Sequence, residues 1–360
     1  MKGRDPVDAA SELYDQACAA QASRDYRRAA ALCRRSVRML EKALGPQHPD
    51  LANVLNTLGA IYEDRAEYER SEECCRRSVA IMEEMDGDGD IARIRVQSLV
   101  NLAGIYRVQG KYAEAEPLYL GAVKWAEKKL GPNDLEASSA LNNLAVLYKY
   151  TGKFSKAERL YRRALAITES ALGPHDPEVA TIYHNLGGLE HSRGRYAKAE
   201  PFARMSVEIR QKALGRDHPD VAADAAALAA ILDGQGKYEE AEPLYRWALE
   251  VFERVHGPEH YEIAVNLSNL AALKQATDEL AESERLYKKA LRMKEKLLGP
   301  SHPDVAMTLN NLAVLQNLTG KRAAAAALYK RALAIFERVF GPTNAKTVTC
   351  RKNYAKLRNM

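Results

Sequence analysis

From residue 138 onward the apolar positions fall at helical spacing. In SSALNNLAVLYKYTG, Leu141, Leu144, Ala145 and Tyr148 stand at i, i+3, i+4 and i+7, which predicts an amphipathic helix with one narrow apolar face. Gly152 follows as a stop, because glycine adopts the left-handed turn that closes a helix without steric cost. In KFSKAERLYRRALAITESAL, Ala157, Leu160, Tyr161, Ala164, Leu165 and Thr168 again hold one face. Gly173 ends this second helix and Pro174 keeps it from resuming. The next helix begins near Asp176-Pro177-Glu178, where proline is tolerated in a first turn and the carboxylate favours the positive helix end. The segment predicts a helix hairpin, A then B, whose small alanines let the two axes approach closely.

The same pattern recurs along the chain, and its phase is read from one glycine. Gly131, Gly173, Gly215, Gly257, Gly299 and Gly341 are each 42 residues apart. Gly45 and Gly87 continue the series upstream, with a two-residue insertion before Gly131. A fixed period in this range predicts a solenoid, in which each unit buries its apolar face only against its neighbours. Eight hairpins are expected, starting near Ala10, Ala52, Val96, Ser138, Ala180, Ala222, Ala264 and Ala306. The boundaries expected are an N-terminal extension over 1–9, one array over 10–347 and a C-terminal capping helix over 348–360. In that last stretch Asn353, Ala355 and Leu357 keep the A-helix phase and the outer side carries more charge.

Within one unit, Ala145, Tyr148, Gly152, Phe154 and Ala157 follow one another at spacings of three, four, two and three, with Ala164 at a later small position. This pattern resembles the tetratricopeptide repeat. The fuller string LNNLAVLY…GK…AE.LY.RALAI.E..LGP.HPDVA is similar to the long repeats of kinesin light chains and of bacterial proteins built on them. The resemblance covers roughly residues 10–357, and the heptad coiled coil through which a light chain joins its motor is absent from the sequence. The fold it implies is all-α: a right-handed superhelical α-solenoid of about eight helix hairpins plus a C-terminal capping helix.

One polar A-helix position recurs on the side opposite the packed face: Asn101, Asn143, Asn185, Asn269, Asn311 and Asn353, with Ala227 in the sixth unit and Asp15 and Thr57 in the first two. The resemblance implies that an asparagine here faces a concave groove lined by the A helices and holds an extended peptide by its backbone. A carboxamide suits that task, since it offers donor and acceptor together. In the alternative reading the asparagines help successive A helices fit, or solvate the groove. Asn142 and Asn310 precede ladder members by one residue. Six residues after the ladder stand Arg107, Lys149 and His191, then Gln275 and Asn317, with Asp233 in the asparagine-less unit. Positive character thus gathers in units three to five, where an acidic segment or a C-terminal carboxylate fits. The expected peptide-binding set is Asn101, Asn143, Asn185, Asn269, Asn311, Asn142, Arg107 and Lys149.

Composition narrows the class. The net charge of +5 is small for 360 residues and does not by itself argue for nucleic acid. The basic pairs Arg34-Arg35, Arg76-Arg77, Arg162-Arg163 and Lys288-Lys289 recur on helix B and read as a solvated outer face, because a nucleic-acid surface would interleave aromatics. Five cysteines without pattern indicate a reducing compartment, with Cys74 and Cys75 as core-side thiols. MKGRDPVDAASELYDQ holds no apolar run and no segment approaches 18 apolar residues, so neither a signal peptide nor a membrane span is expected, and a cytoplasmic location is. Asp86-Gly-Asp88-Gly-Asp90 resembles the opening of a calcium loop, but Ile91 and Gln97 stand where the loop needs glycine and a bidentate glutamate. A flexible connector without tight calcium binding is expected. His184 and His191 lie two helical turns apart, roughly 10 Å, too far to share one zinc. His48, His218, His260 and His302 recur with the repeat and belong to loop geometry.

No phosphate loop, nucleophile elbow or dinucleotide fingerprint occurs, and no cluster of acid, base or nucleophile that breaks the repeat phase is evident. The expectation is a non-enzymatic scaffold, without cofactor or metal, that binds an extended peptide segment of a partner in its groove, with no role for nucleic acid or membrane. The alternative is a regulatory or sensor module acting with an effector domain on another chain.

Overall fold

The computed structural model describes residues 5–23, 25–65 and 67–358. Residues 1–4 of the expected N-terminal extension and the last two of the expected cap lie outside the described residues. Seventeen helices and no strand are present among the described residues. In chain order they are α1 (Pro6–Ala22), α2 (Tyr26–Leu44), α3 (Pro49–Asp64), α4 (Tyr68–Glu83), α5 (Asp90–Val108), α6 (Tyr112–Lys129), α7 (Leu135–Tyr150), α8 (Phe154–Leu172), α9 (Pro177–Ser192), α10 (Tyr196–Leu214), α11 (Pro219–Gly234), α12 (Tyr238–His256), α13 (Tyr261–Ala276), α14 (Leu280–Leu298), α15 (Pro303–Leu318), α16 (Arg322–Phe340) and α17 (Ala345–Arg358). Odd-numbered helices through α15 are the A helices, even-numbered ones the B helices, and α17 begins three residues before the expected cap.

The chain divides into two compact units, residues 1–147 and 148–360, with the division inside α7. Within each unit helices consecutive in sequence pack on one another: α1 through α6 in the first, α8 through α17 in the second. A second contact sets the curvature. In the first unit α1 touches α3 and α3 touches α5; in the second α9, α11, α13, α15 and α17 touch in succession. No two B helices approach as closely among the described residues. Helices that meet on one side and splay on the other put the A helices on the inner face of each unit.

The packing follows from small residues facing large ones. Ala103, Ala145, Ala229, Ala271 and Ala313, one per A helix, are fully buried. The B helices set Tyr119, Tyr161, Tyr245, Tyr287 and Tyr329 at one register, none more than 2% exposed. In α10 that register holds Ala203, and the facing residue in α9 is Gly187, whose added Cβ would sit 3.4 Å from the Ala203 backbone nitrogen. These two helices therefore pack backbone to backbone, an approach only small residues permit. Helix starts are capped by side chains. Asp176 Oδ1 accepts the Glu178 N–H at 2.8 Å, and the ring Nδ1 of His218 and His302 accepts the N–H two residues on at 3.2 and 3.1 Å. The periodic histidines are thus N-caps, as loop geometry requires.

Candidate binding face of the A helices

The asparagine column lies half-buried on the A helices. In the first unit Asn101 Oδ1 accepts from Gln97 Nε2 at 2.6 Å, one turn earlier on α5. Asn143 Nδ2 donates to the Ser139 carbonyl at 3.0 Å, and Asn142 stands beside it on α7, also half-buried. Arg107 has structural company. Burial pushes the Glu63 carboxyl up and the Arg107 guanidinium pulls it down, and Arg107 also lies by the buried Tyr119 hydroxyl. This arginine therefore answers a carboxylate of α3, the neighbouring A helix.

In the second unit Asn185, Asn269 and Asn311 stand on α9, α13 and α15. Asn311 is linked sideways: Asn310 Nδ2 donates to Asn311 Oδ1 at 3.2 Å, and Asn353 Nδ2 of α17 donates to Asn310 Oδ1 at 3.4 Å. The Asn311 amide also lies by the Tyr287 hydroxyl of α14. These amides join successive A helices. Lys149 sits over the Tyr150 ring at 5.6 Å, and with burial it depresses the His191 imidazole. The expected basic stretch is thus divided, Arg107 in the first unit and Lys149 with His191 in the second.

The inner face of the second unit also bears residues outside the asparagine column. On α11 it is bare, with Ala223, Ala226, Ala227 and Ala230 half-buried. On α15 it is apolar at both ends, Met307 being 40% and Leu318 62% exposed. Tyr261, at the position where α9, α11 and α15 start with proline, donates to Asp304 Oδ2 of the next hairpin at 2.5 Å.

A buried polar cluster breaks the repeat phase, which the sequence reading did not anticipate. Asp224 of α11 is fully buried, and its Oδ1 accepts from Arg210 Nη1 of α10 at 3.1 Å. The same oxygen lies 2.7 Å from His184 Nδ1 of α9. The signal was present in the columns. Register 210 is Phe in α12 and α16 but Arg in α10, and register 224 is neutral in every other A helix from α5 onward.

The outer face carries paired charges. Glu200 accepts from Arg204 of its own helix at 2.6 Å and from Lys237 of the next hairpin at 3.0 Å. Glu284 does the same with Lys288 at 2.6 Å and Lys321 at 2.7 Å. Arg162 pairs with Glu158 at 3.0 Å, and that carboxylate also takes Arg193 at 2.6 Å. The helix-B carboxylates, each shared between a base of its own helix and a base of the next hairpin, therefore clamp one hairpin to the next.

Asp86 and Asp88 are occupied from within. Lys129 Nζ reaches Asp86 Oδ1 at 2.6 Å and Asp88 Oδ1 at 3.3 Å, and Arg95 donates to the Met85 carbonyl at 2.8 Å while lying 3.9 Å over the Trp125 ring. An ammonium sits where a cation would, and this connector is tied to α5 and α6. The described residues contain no group of three or more His, Cys, Asp or Glu able to hold a metal ion, and no helix long and apolar enough to cross a membrane. Burial pushes the thiols of Cys33, Cys74 and Cys75 up to about 12, which makes them poor nucleophiles.

The sequence profile of the tetratricopeptide repeat matches residues 8–84, 94–170, 178–254, 235–296 and 262–338. Among solved structures, the chain is similar to a kinesin-light-chain-type protein of Podosopora anserina with nearly identical TPR-like repeats, at 22% identity over 59% of this chain and 99% of that one, TM-score 0.45. It is similar to the Rap conjugation gene regulator of the plasmid pLS20, solved with the Phr* peptide, at 18% identity over 78% and 72%, TM-score 0.63. It is also similar to a signal transduction ATPase with numerous domains from Pyrococcus horikoshii, which has a tetratricopeptide repeat sensor, at 15% identity over 93% and 52%, TM-score 0.56. Comparison with curated proteins gave no match.

Proposed function

This chain belongs to the tetratricopeptide repeat family, and from that premise we propose that it is a non-enzymatic cytoplasmic scaffold that holds an extended segment of a partner protein on the inner face of its A helices. In this reading the repeat array occupies 10–347 and α17 caps it. The observation that carries the reading is the return of a carboxamide at one A-helix register, at Asn101, Asn143, Asn185, Asn269 and Asn311, in units where α1, α3 and α5, and then α9, α11, α13 and α15, touch in succession. A side chain able both to donate and to accept suits a peptide backbone whatever side chains the ligand carries. The likeness to the Rap regulator solved with a peptide supports this fold as a peptide-holding frame.

Asn142, Arg107 and Lys149 complete the proposed contact set. Lys149, beside His191, is the place for an acidic group or a terminal carboxylate of the ligand; Arg107 has part of its charge answered by Glu63. The reading calls for no cofactor, nucleic acid or lipid. A second reading, a sensor module that acts with an effector domain on another chain, is favoured by the likeness to the ATPase, of which only 52% is matched.

The test is capture with the intact chain, mapping of the bound segment, and titration of that peptide. Asn185→Ala and Asn269→Ala should each weaken binding by about 0.5–1.5 kcal/mol, the net worth of one hydrogen bond, with the unfolding midpoint nearly unchanged. The outer-face variant Arg162→Ala should leave affinity alone. Asparagine variants that lower the midpoint and leave affinity intact would make the ladder structural.

A further inference from the structure

The buried charges of the second unit sit where other hairpins manage without an ion pair. Register 210 of the B helices holds Phe252 in α12 and Phe336 in α16, 1% and 2% exposed. Lys294, at that register in α14, donates to Thr308 Oγ1 at 3.1 Å and holds no histidine. Register 224 of the A helices holds Asn266 in α13 and Thr308 in α15. Replacing neutral core residues by an ion pair gains little stability, because desolvating both charges offsets their attraction. The pair does fix what it touches. Arg210 Nη2 donates to Thr181 Oγ1 at 2.6 Å, and Nη1 donates to Asp224 Oδ1 at 3.1 Å. A carboxylate held by a guanidinium has no proton to give, so the hydrogen of the 2.7 Å contact with His184 belongs to the ring Nδ1. Nε2 is left as an acceptor. Nδ1 points at a fully buried carboxylate while 33% of the His184 side chain is exposed, so the exposed part is the opposite edge, which carries Nε2.

We infer that His184 is a hydrogen-bond acceptor on the inner face of the second unit, pinned as the Nδ1–H tautomer by the buried Asp224–Arg210 pair, and that it receives an N–H of a bound peptide. The inference rests on the A-helix face being the binding surface. The register supports it. His184 immediately precedes the ladder residue Asn185, at the place of Asn310 on α15 and of Ala226 on α11. An amide there accepts and donates, and an alanine does neither. A pinned neutral imidazole accepts only, which makes this point selective for a donor. The peptide segment that fits presents a backbone N–H or an Asn, Gln, Lys or Arg side chain at this point.

The test transplants the pair of the following hairpin. R210F/D224N places Phe and Asn where α12 and α13 carry Phe252 and Asn266. Asn266 Nδ2 donates to the Tyr245 carbonyl at 2.8 Å, so the new amide has an equivalent acceptor in Ala203 and the fold is retained. Long-range 1H–15N spectra of the intact chain, with His184 assigned through H184Q, read the tautomer without any ligand. The wild type should show the Nδ1–H form and R210F/D224N a mixture. The probe for binding is a peptide selected by the intact chain from a displayed library of random 12-mers. H184F and R210F/D224N should each weaken it about fivefold to tenfold, the range of one hydrogen bond. H184Q, which keeps an acceptor, should restore most of the loss.

An Nε2–H tautomer in the wild type overturns the inference. So does unchanged affinity in H184F for a peptide that N185A weakens, and in that case the inner-face reading stands. If no selected peptide is weakened by N185A or N269A, the inner-face reading itself fails and takes the ligand role of His184 with it, whatever the tautomer.

Discussion

Removal of the Arg210 guanidinium alone should destabilise the second unit far more than removal of the whole ion pair. Asp224 is 0% exposed, and one of its oxygens, Oδ2, already lacks a hydrogen-bond partner. Its charge is answered by Arg210 at 3.1 Å, whose own side chain is 10% exposed. Arg210→Ala leaves that carboxylate buried with only the His184 ring Nδ1 at 2.7 Å. Breaking a buried pair from one side costs about 3–5 kcal/mol, whereas replacing both partners by packed neutral residues is close to neutral or stabilising by about 1–4 kcal/mol. R210F/D224N has its templates in Phe252 and Asn266 of the next hairpin, so it should unfold within about 1 kcal/mol of the wild type or above it. The four corners of the cycle (wild type, R210F, D224N and the double variant) give the coupling energy directly. Urea unfolding followed by circular dichroism at 222 nm reads the global effect. In a solenoid stability is a sum of neighbour terms, so hydrogen exchange over α9–α11 should show the loss localised there. A cost below about 1 kcal/mol for R210A, or a double variant as unstable as the single, would refute this account of the pair.

Three further outcomes are expected. Glu200 is held down to about 2 by hydrogen bonds from Gln235, Lys237 and Arg204, and Glu284 to about 2 by Lys288 and Lys321, against an ordinary 4.5. Depressed carboxylates stabilise the fold fully above the unfolded value, and that contribution is lost as pH falls from about 4.5 toward 2; E200Q/E284Q should be less stable at neutral pH and flatten this part of the acid-unfolding curve, and a curve as steep as that of the wild type would contradict the clamp. Gly234→Ala places a Cβ 2.5 Å from the Tyr196 ring, so it should cost about 1–3 kcal/mol by overpacking, and G234A/Y196A should recover part of it in thermal unfolding. Lys129→Ala frees Asp86 and Asp88, so hydrogen exchange over 85–91 should accelerate in the variant, and calorimetry of the wild type with calcium should find no micromolar site.

The chain by itself determined the repeat and most of the packing. Contacts in a solenoid run between neighbours, and each hairpin restates the same solution, so the sequence serves as its own alignment. The spacing of Leu141, Leu144, Ala145 and Tyr148 suffices to predict residues that are 0–6% exposed, and Gly152 does end the turn at a φ of 77°. An inward asparagine register is what the resemblance implies, and the structure places those amides half-buried on the A helices. What those amides touch does not follow from the resemblance. Asn310, Asn311 and Asn353 link to one another because α15 and α17 approach, and a one-dimensional pattern does not say which amide reaches which.

Tertiary structure alone decided how the phase-breaking charges combine. Arg210, Asp224 and His184 come from three helices, with His184 and Asp224 40 residues apart. Each looks, in its own helix, like an isolated exception to a column; they become one network only because α9, α10 and α11 share an interface. The same holds for Lys129, which reads as a solvated lysine until α6 carries it to Asp86 and Asp88. Periodicity encodes what every hairpin does alike, through contacts repeated at fixed spacing. Ion pairs and hydrogen bonds at single exceptions depend on distances of a few ångströms between side chains far apart in sequence, and only the folded stack sets those.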